Sequence, residues 1–167
     1  LEGFNPGMEG GRAIAEAVFG QLNPSGKLTI SFAVHVGQQP VFYSQVRGQH
    51  GNRYADLTQE PLFPFGHGLG YTSFEFADLR AEATEGLIRV TFSVRNVGSR
   101  PGKAVPQLYV TFPTAAGEPP AQLKAFQVVH LEPGEVSEIG REIPLDDLAI
   151  FDDESRARMV PGMYEIQ

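Results

Sequence analysis

The sequence has no cysteine, so neither a disulfide framework nor a thiolate metal site can form. Basic residues are also scarce: 13 Lys and Arg stand against 20 Asp and Glu, and the formal net charge is −7. Because this charge repels polyanions and the basic residues form no run, the composition argues against nucleic acid and anionic membranes as partners. No apolar run approaches the roughly 18 residues of a membrane-spanning helix.

The composition that is present indicates a folded chain. Hydrophobic residues make up 41% and charged residues 20% of the 167 positions, values typical of globular proteins. This length allows one domain or one domain and part of another. The first residues, LEGF, contain neither an initiator methionine nor a basic signal region. We therefore expect the chain to begin inside a longer protein.

The densest motif lies at residues 61–74, where aromatic residues alternate with prolines and glycines. Pro61 and Pro64 fix φ and remove two backbone donors, while the glycines allow conformations closed to other residues. The motif has more apolar ring surface than a free linker would carry. Its four rings belong to Phe63, Phe65, Tyr71 and Phe74. The motif predicts a folded junction loop that packs on both sides.

The residues before this junction show α/β patterns. Apolar spacing predicts a helix over 9–19, and alternation predicts a strand over 27–32. A second short strand is predicted at 41–43, and residues 44–60 are polar and irregular. One helix, two short strands and a long loop do not make a domain. We interpret residues 1–60 as the end of an α/β domain whose main body lies upstream.

The residues after the junction alternate strictly between apolar and polar, as half-buried strands do. Strands are predicted at 74–82, 88–95, 104–112, 122–131, 136–143 and 163–167. An immunoglobulin-like or fibronectin III-like sandwich has about seven strands in about 100 residues. The predicted fold class is therefore mainly β, with a sandwich at 75–167 that lacks its last strand. Such an open sheet edge favours self-association.

Several motifs, in this order, resemble the β-glucosidases of glycoside hydrolase family 3. They are PGMEGG (6–11), NPSGKL (23–28), GQQP (37–40), PLFPFGHGLGYTSFEF (61–76), RNVG (95–98), QLYV (107–110), LKAF (123–126) and LEPGE (131–135). Each motif is weak alone, but their shared order covers essentially the whole chain. Two residues depart from the pattern: Gly70 stands where the family usually has serine, and Thr29 stands where proline is common.

This resemblance implies that residues 1–60 end a flavodoxin-like α/β sandwich domain and that 75–167 form a fibronectin type III-like domain. It also implies a parent enzyme that hydrolyses terminal β-linked sugars with retention, without a cofactor. In the family the nucleophilic aspartate and the acid/base glutamate lie in segments upstream of PGMEGG. We therefore assign no catalytic residue to this chain and predict that it is inactive alone. The implied partners are a carbohydrate substrate and the upstream catalytic domains.

Three residues are candidates for lining the substrate cleft. Glu9 lies in a glycine-flanked turn at a helix start, where stabilisation by the helix dipole accounts for a glutamate without any catalytic role. Asp56 lies in the irregular loop with Arg53, and the two either pair or line a cleft. The acidic run 152–154 is typical of a solvated loop.

The four histidines, at positions 35, 50, 67 and 130, lack metal-ligand spacing, so no metal site is predicted. His67, between two glycines, is expected to hold the junction through hydrogen bonds.

A second interpretation is a non-enzymatic β-sandwich module for adhesion or carbohydrate binding. Such a module would have no use for the predicted helix at 9–19 and strand at 27–32, because both need an upstream sheet to pack against. These two elements favour the glycosidase interpretation.

Overall fold

The computed structural model describes residues 1–45, 56–119 and 121–167. It contains one α-helix, α1 (Gly10–Val18), and short 3-10 helices at Val36–Gln38, Thr114–Ala116 and Leu145–Leu148. The strands are β1 (Phe74–Thr84), β2 (Leu87–Asn96), β3 (Gly102–Ala104), β4 (Gln107–Thr111), β5 (Gln122–Phe126), β6 (Val129–Leu131), β7 (Val136–Pro144), β8 (Ile150–Phe151), β9 (Ala157–Arg158) and β10 (Glu165–Ile166). No helix in these described ranges is long and apolar enough to cross a membrane.

Two antiparallel sheets form the sandwich, with strand orders β1-β2-β7 and β10-β4-β5. The alternation predicted for β2 is confirmed, since Val90, Phe92 and Val94 are buried while Thr91 and Arg95 are exposed. These three apolar side chains belong to one core cluster with apolar residues of β4 and β7, such as Leu108, Val110, Ile139 and Ile143. The predicted mainly-β sandwich is therefore confirmed.

Two of the predicted strands are each divided in two. The prediction for 104–112 becomes β3 and β4, which are separated by Val105 and Pro106, and β3 pairs with β6 in a separate two-stranded sheet. Proline has no N–H to give to a ladder, which explains a break at Pro106. The prediction for 122–131 likewise becomes β5 and β6, and the short β8–β9 pair was not predicted.

The part that precedes the junction contains the predicted helix, shortened by one residue at each end. The strand predicted over 27–32 is wrong. This segment meets the junction at two separate points: Phe32 forms an isolated bridge with Phe63, and Leu28 exchanges main-chain hydrogen bonds with Gly66 and His67. Pro64 lies between these points, and because it lacks an N–H a continuous ladder cannot form there. The stretch 41–43 is not a strand either.

Candidate functional site

Tyr71 ties the junction loop to α1. Its hydroxyl donates to the carbonyl of Ala17 at 2.7 Å, and its backbone N–H donates to Asn23 Oδ1 at 2.7 Å. The guanidinium of Arg100 lies 5.6 Å from the Tyr71 ring centroid and donates to the carbonyl of Gly20. A residue of the sandwich thus contacts the helix end and the junction together.

Asn96, at the end of β2, is fully buried and joins the junction to the sandwich core. Its Oδ1 accepts from the Thr72 hydroxyl at 2.7 Å and from the Gly98 N–H at 3.1 Å. Its Nδ2 donates to the carbonyls of Arg100 at 2.8 Å and Leu131 at 3.0 Å. A buried amide must satisfy both of its ends, and Asn96 does so with partners from three segments of the chain.

A third link joins the junction to β4. Gln107 Nε2 donates to the Gly66 carbonyl at 3.1 Å, and the Tyr109 hydroxyl donates to Gln107 Oε1 at 2.7 Å. Gly66 has a φ of +79°, where an L side chain is strained, and a Cβ atom there would also lie 2.3 Å from Gln107 Oε1, so glycine is favoured at this close approach. Burial raises the pKa of the Tyr109 hydroxyl, with a further contribution from Tyr43.

The four junction rings pack unequally. Phe65 is half-buried and stacks on Tyr43 with 4.0 Å between ring centroids, and Phe74 is packed against the sandwich core. Phe63 and Tyr71 remain 42% and 45% exposed. The His67 ring stacks on Phe63 with 5.1 Å between ring centroids. The main chain of His67 forms two hydrogen bonds: its N–H donates to the carbonyl of Pro64, and its carbonyl accepts from the N–H of Leu28.

Sequence reasoning missed Gln38, which is only 3% exposed. Its Oε1 accepts from the N–H groups of Val34 at 2.6 Å and His35 at 3.2 Å. Its Nε2 donates to the carbonyls of Thr58 at 2.6 Å and Glu60 at 3.4 Å. The GQQP motif marked this position, but glutamine is a common surface residue and its burial has no local signal.

Two of the three predicted cleft residues, Glu9 and Asp56, lie within the described part of the chain, and no hydrogen bond or ion pair joins them. Glu9 is exposed at the N-cap of α1 and its side chain makes no capping hydrogen bond. Asp56 is exposed in a bend, and Arg53 lies outside the described residues. Within 1–45, 56–119 and 121–167, neither carboxylate forms a hydrogen bond or an ion pair. The same ranges contain no group of three or more His, Cys, Asp or Glu able to hold a metal ion.

The acidic run at 152–154 forms the turn between β8 and β9. Asp152 accepts from the backbone N–H groups of Glu154 and Arg156, and from Arg156 Nε at 3.1 Å. The Arg156 N–H makes the largest contribution to a pKa of the Asp152 carboxyl below its ordinary value. The Asp152 carboxylate therefore stabilises the turn between β8 and β9 through partners within that turn.

An open groove of about 1110 Å³ lies between the residues before the junction and the sandwich. Aromatic rings and cationic side chains share its lining, among them Phe4, Phe32, Phe63, Lys27, Arg100 and Lys103. Lys27 donates from Nζ to the Gly68 carbonyl at 2.7 Å, and partial burial lowers its pKa. The Lys27 side chain therefore connects the segment before the junction to the junction loop.

Comparison with known proteins identifies two domain families that match this chain. Residues 1–71 match the glycosyl hydrolase family 3 C-terminal domain, and residues 104–167 match a fibronectin type III-like domain. The periplasmic beta-glucosidase of Salmonella typhimurium is 36% identical over 181 residues, covering 99% of this chain and 24% of that protein. The beta-xylosidase of Formosa agariphila is 37% identical over 178 residues, with the same two shares.

A solved structure shows the same arrangement in three dimensions. It is a β-glucosidase involved in saponin metabolism from intestinal bacteria, which is 42% identical with a TM-score of 0.89. The match covers 97% of this chain and 23% of that one, so the chain spans about a quarter of the length of the relatives it matches. The chain belongs to glycoside hydrolase family 3, of which it carries the end of the α/β sandwich domain followed by the fibronectin type III-like domain.

Proposed function

We propose that this chain is the C-terminal part of a retaining β-glycosidase of the β-glucosidase type. Residues 1–60 complete the α/β domain that borders the sugar cleft, residues 61–74 form the junction, and residues 75–167 brace it. The observation that carries this proposal is the set of hydrogen bonds that clamp the junction between α1 and the sandwich, at Tyr71, Asn96 and Gln107. Catalytic groups must be held to a fraction of an ångström, and such a clamp supplies rigidity to the cleft edge.

Exposed apolar side chains on residues 1–45 support the proposal that this segment belongs to a larger α/β domain. Met8, Phe19 and Val36 are largely exposed, and Ile14, Val18, Ile30 and Phe42 are exposed to a lesser degree. Soluble proteins rarely leave so many apolar side chains in one region open to water. We place the remaining part of the α/β domain of the parent protein over this surface.

Three residues would then face the substrate. A sugar offers hydroxyl groups, which a carboxylate accepts from and a guanidinium donates to. We propose that Glu9, Asp56 and Arg53 line the cleft in this way, while an upstream aspartate and an upstream glutamate carry out the displacement. The exposure of Glu9 and Asp56, and their lack of internal partners among the described residues, support this role.

The test is hydrolysis of aryl β-glucosides and aryl β-xylosides by the full-length parent, by this chain alone, by an upstream fragment and by the mixture of both fragments. We expect turnover by the parent, none by this chain, and partial recovery in the mixture as the α/β domain is completed. Turnover by the isolated chain that disappears in Glu9→Gln would overturn the assignment of the catalytic pair to upstream segments.

The cleft assignment is tested in the parent with Glu9→Gln, Asp56→Asn and Arg53→Gln. A hydrogen bond to a charged group contributes about 1.5–3 kcal/mol, so KM or kcat/KM should worsen about 10- to 100-fold. Asp153→Asn, an exposed carboxylate in the β8–β9 turn, is the matched control. Kinetics equal to wild type in all three variants would remove them from the cleft.

We also propose self-association through β10, which lies at the edge of its sheet. Gln167 exchanges both main-chain hydrogen bonds with Tyr109, so the N–H and C=O of the preceding Ile166 point away from β4. Ile166→Pro removes the outward N–H, whereas Ile166→Val keeps it. We expect concentration-dependent dimers in sedimentation velocity for wild type and Ile166→Val, and monomers for Ile166→Pro. A monomeric wild type at high concentration would refute this pairing.

A further inference from the structure

The buried amide of Gln38 joins two segments that lie far apart in the sequence. On one side it receives the N–H groups of residues 34 and 35, and on the other it donates to carbonyls 20 and 22 residues further along. Both oxygen lone pairs and both N–H donors are used, which fixes the orientation of the amide. Glutamine alone among the side chains of this length offers two donors and two acceptors.

Each segment is also stiffened by a local hydrogen bond. The Gly37 N–H donates to His35 Nδ1 at 3.0 Å, which completes the cap of the 3-10 helix that carries Gln38. The Glu60 N–H donates to the Thr58 hydroxyl at 3.1 Å, which closes the turn that Gln38 binds. The amide therefore connects two turns that each have a local hydrogen bond of their own, and its loss would free one turn from the other.

The second of these turns begins two residues after Asp56, whose carboxylate is exposed. We propose that Gln38 is a positioning residue for substrate binding. By holding the carbonyls of Thr58 and Glu60, it sets the place of the Asp56 carboxylate against the sugar. This inference rests on the proposed function, in which Asp56 lines the cleft of a β-glycosidase.

The experiment compares Gln38→Met, Gln38→Glu and Asp56→Asn in the full-length parent, with an aryl β-glucoside as substrate. Gln38→Met keeps the length of the side chain and adds no buried charge, so it remains informative if Gln38→Glu does not fold. We expect both Gln38 variants to raise KM about tenfold while kcat stays within about threefold, which corresponds to about 1.4 kcal/mol of binding free energy. Gln59→Glu, an exposed neighbour on the same turn, is the matched control and should keep wild-type KM.

The double variant Gln38→Met/Asp56→Asn separates positioning from a general loss of stability. If Gln38 acts through Asp56, its substitution adds little to KM once the carboxylate is gone. A purely structural role would instead lower kcat through loss of active enzyme and leave KM unchanged. An active parent in which KM is unchanged by Gln38→Met, or in which the two effects simply add, overturns this inference alone. A parent with no turnover of any β-glycoside overturns the proposed function and this inference with it.

Discussion

The hydroxyl of Thr72 donates a hydrogen bond to Oδ1 of Asn96, 2.7 Å away. One partner belongs to the junction loop, while the other is a fully buried side chain at the end of β2. The junction is therefore anchored to the sandwich through a polar group that has no access to water. Because water cannot replace a lost partner there, the link is expected to be sensitive to small changes.

We predict that Asn96→Asp costs far more stability than Thr72→Val. The first change leaves the carbonyls of Arg100 and Leu131 without donors and buries a carboxylate, a loss of about 3 kcal/mol or more. The second removes one hydrogen bond of Asn96 and keeps the one from Gly98, for about 1 kcal/mol. Urea unfolding measures both, with Thr91→Val on the exposed face of β2 as the control. Equal losses would mean that Asn96 is not the centre of this network.

The stacked pair of Phe65 and Tyr43 gives a second prediction. A fully buried phenylalanine would lose about 3–5 kcal/mol on change to alanine. Phe65 is only half-buried, so we expect about 2 kcal/mol, which includes about 0.5–1.5 kcal/mol from stacking. A double-mutant cycle with Tyr43→Ala measures the stacking contribution directly, and Phe42→Ala serves as the exposed control. Additive losses would show that the two rings do not stack in solution.

Gly68 provides a test of close packing in the junction. A Cβ atom there would lie 2.3 Å from the Gly26 carbonyl oxygen, a backbone atom that cannot move aside cheaply. We expect Gly68→Ala to destabilise the chain by about 1–3 kcal/mol, as overpacking usually does. Gly26→Ala is the matched control, since no heavy atom lies within 4 Å of its Cβ position. A midpoint of thermal unfolding that is the same in both variants would contradict the observed approach of the two segments.

The turn between β8 and β9 should make the free energy of unfolding depend on pH in the acidic range. The pKa of Asp152 is lowered in the folded state, chiefly by the N–H of Arg156, so its contribution is present above the unfolded value of about 3.9. This contribution is lost as the pH falls through the folded value. Urea midpoints measured from pH 7 to pH 2 should therefore decline less steeply in Asp152→Asn than in wild type. The same flattening in Asp153→Asn, whose side chain has no hydrogen-bonding partner among the described residues, would assign the effect to net charge instead.

Much of the fold follows from local pattern. Alternation alone identified β2, because burial of every second side chain needs no knowledge of the partner strand. Apolar spacing predicted α1 to within one residue at each end, and the order of the short motifs predicted the family. The density of rings, prolines and glycines at 61–74 predicted a packed loop. All these signals lie within a few residues of one another, so they can be read from the sequence directly.

Long-range pairing determined the rest. Residues 27–32 have the alternation of a strand, yet the segment they meet contains Pro64 and cannot complete a ladder. Gln38 and Asn96 look like ordinary surface residues, but both are buried because chain segments from elsewhere supply their hydrogen-bond partners. The amino-acid sequence by itself determined the β-sandwich, the helix and the family. Only the tertiary structure decided which polar side chains join the parts, because an amide at the surface and a buried amide differ solely in what folds around them.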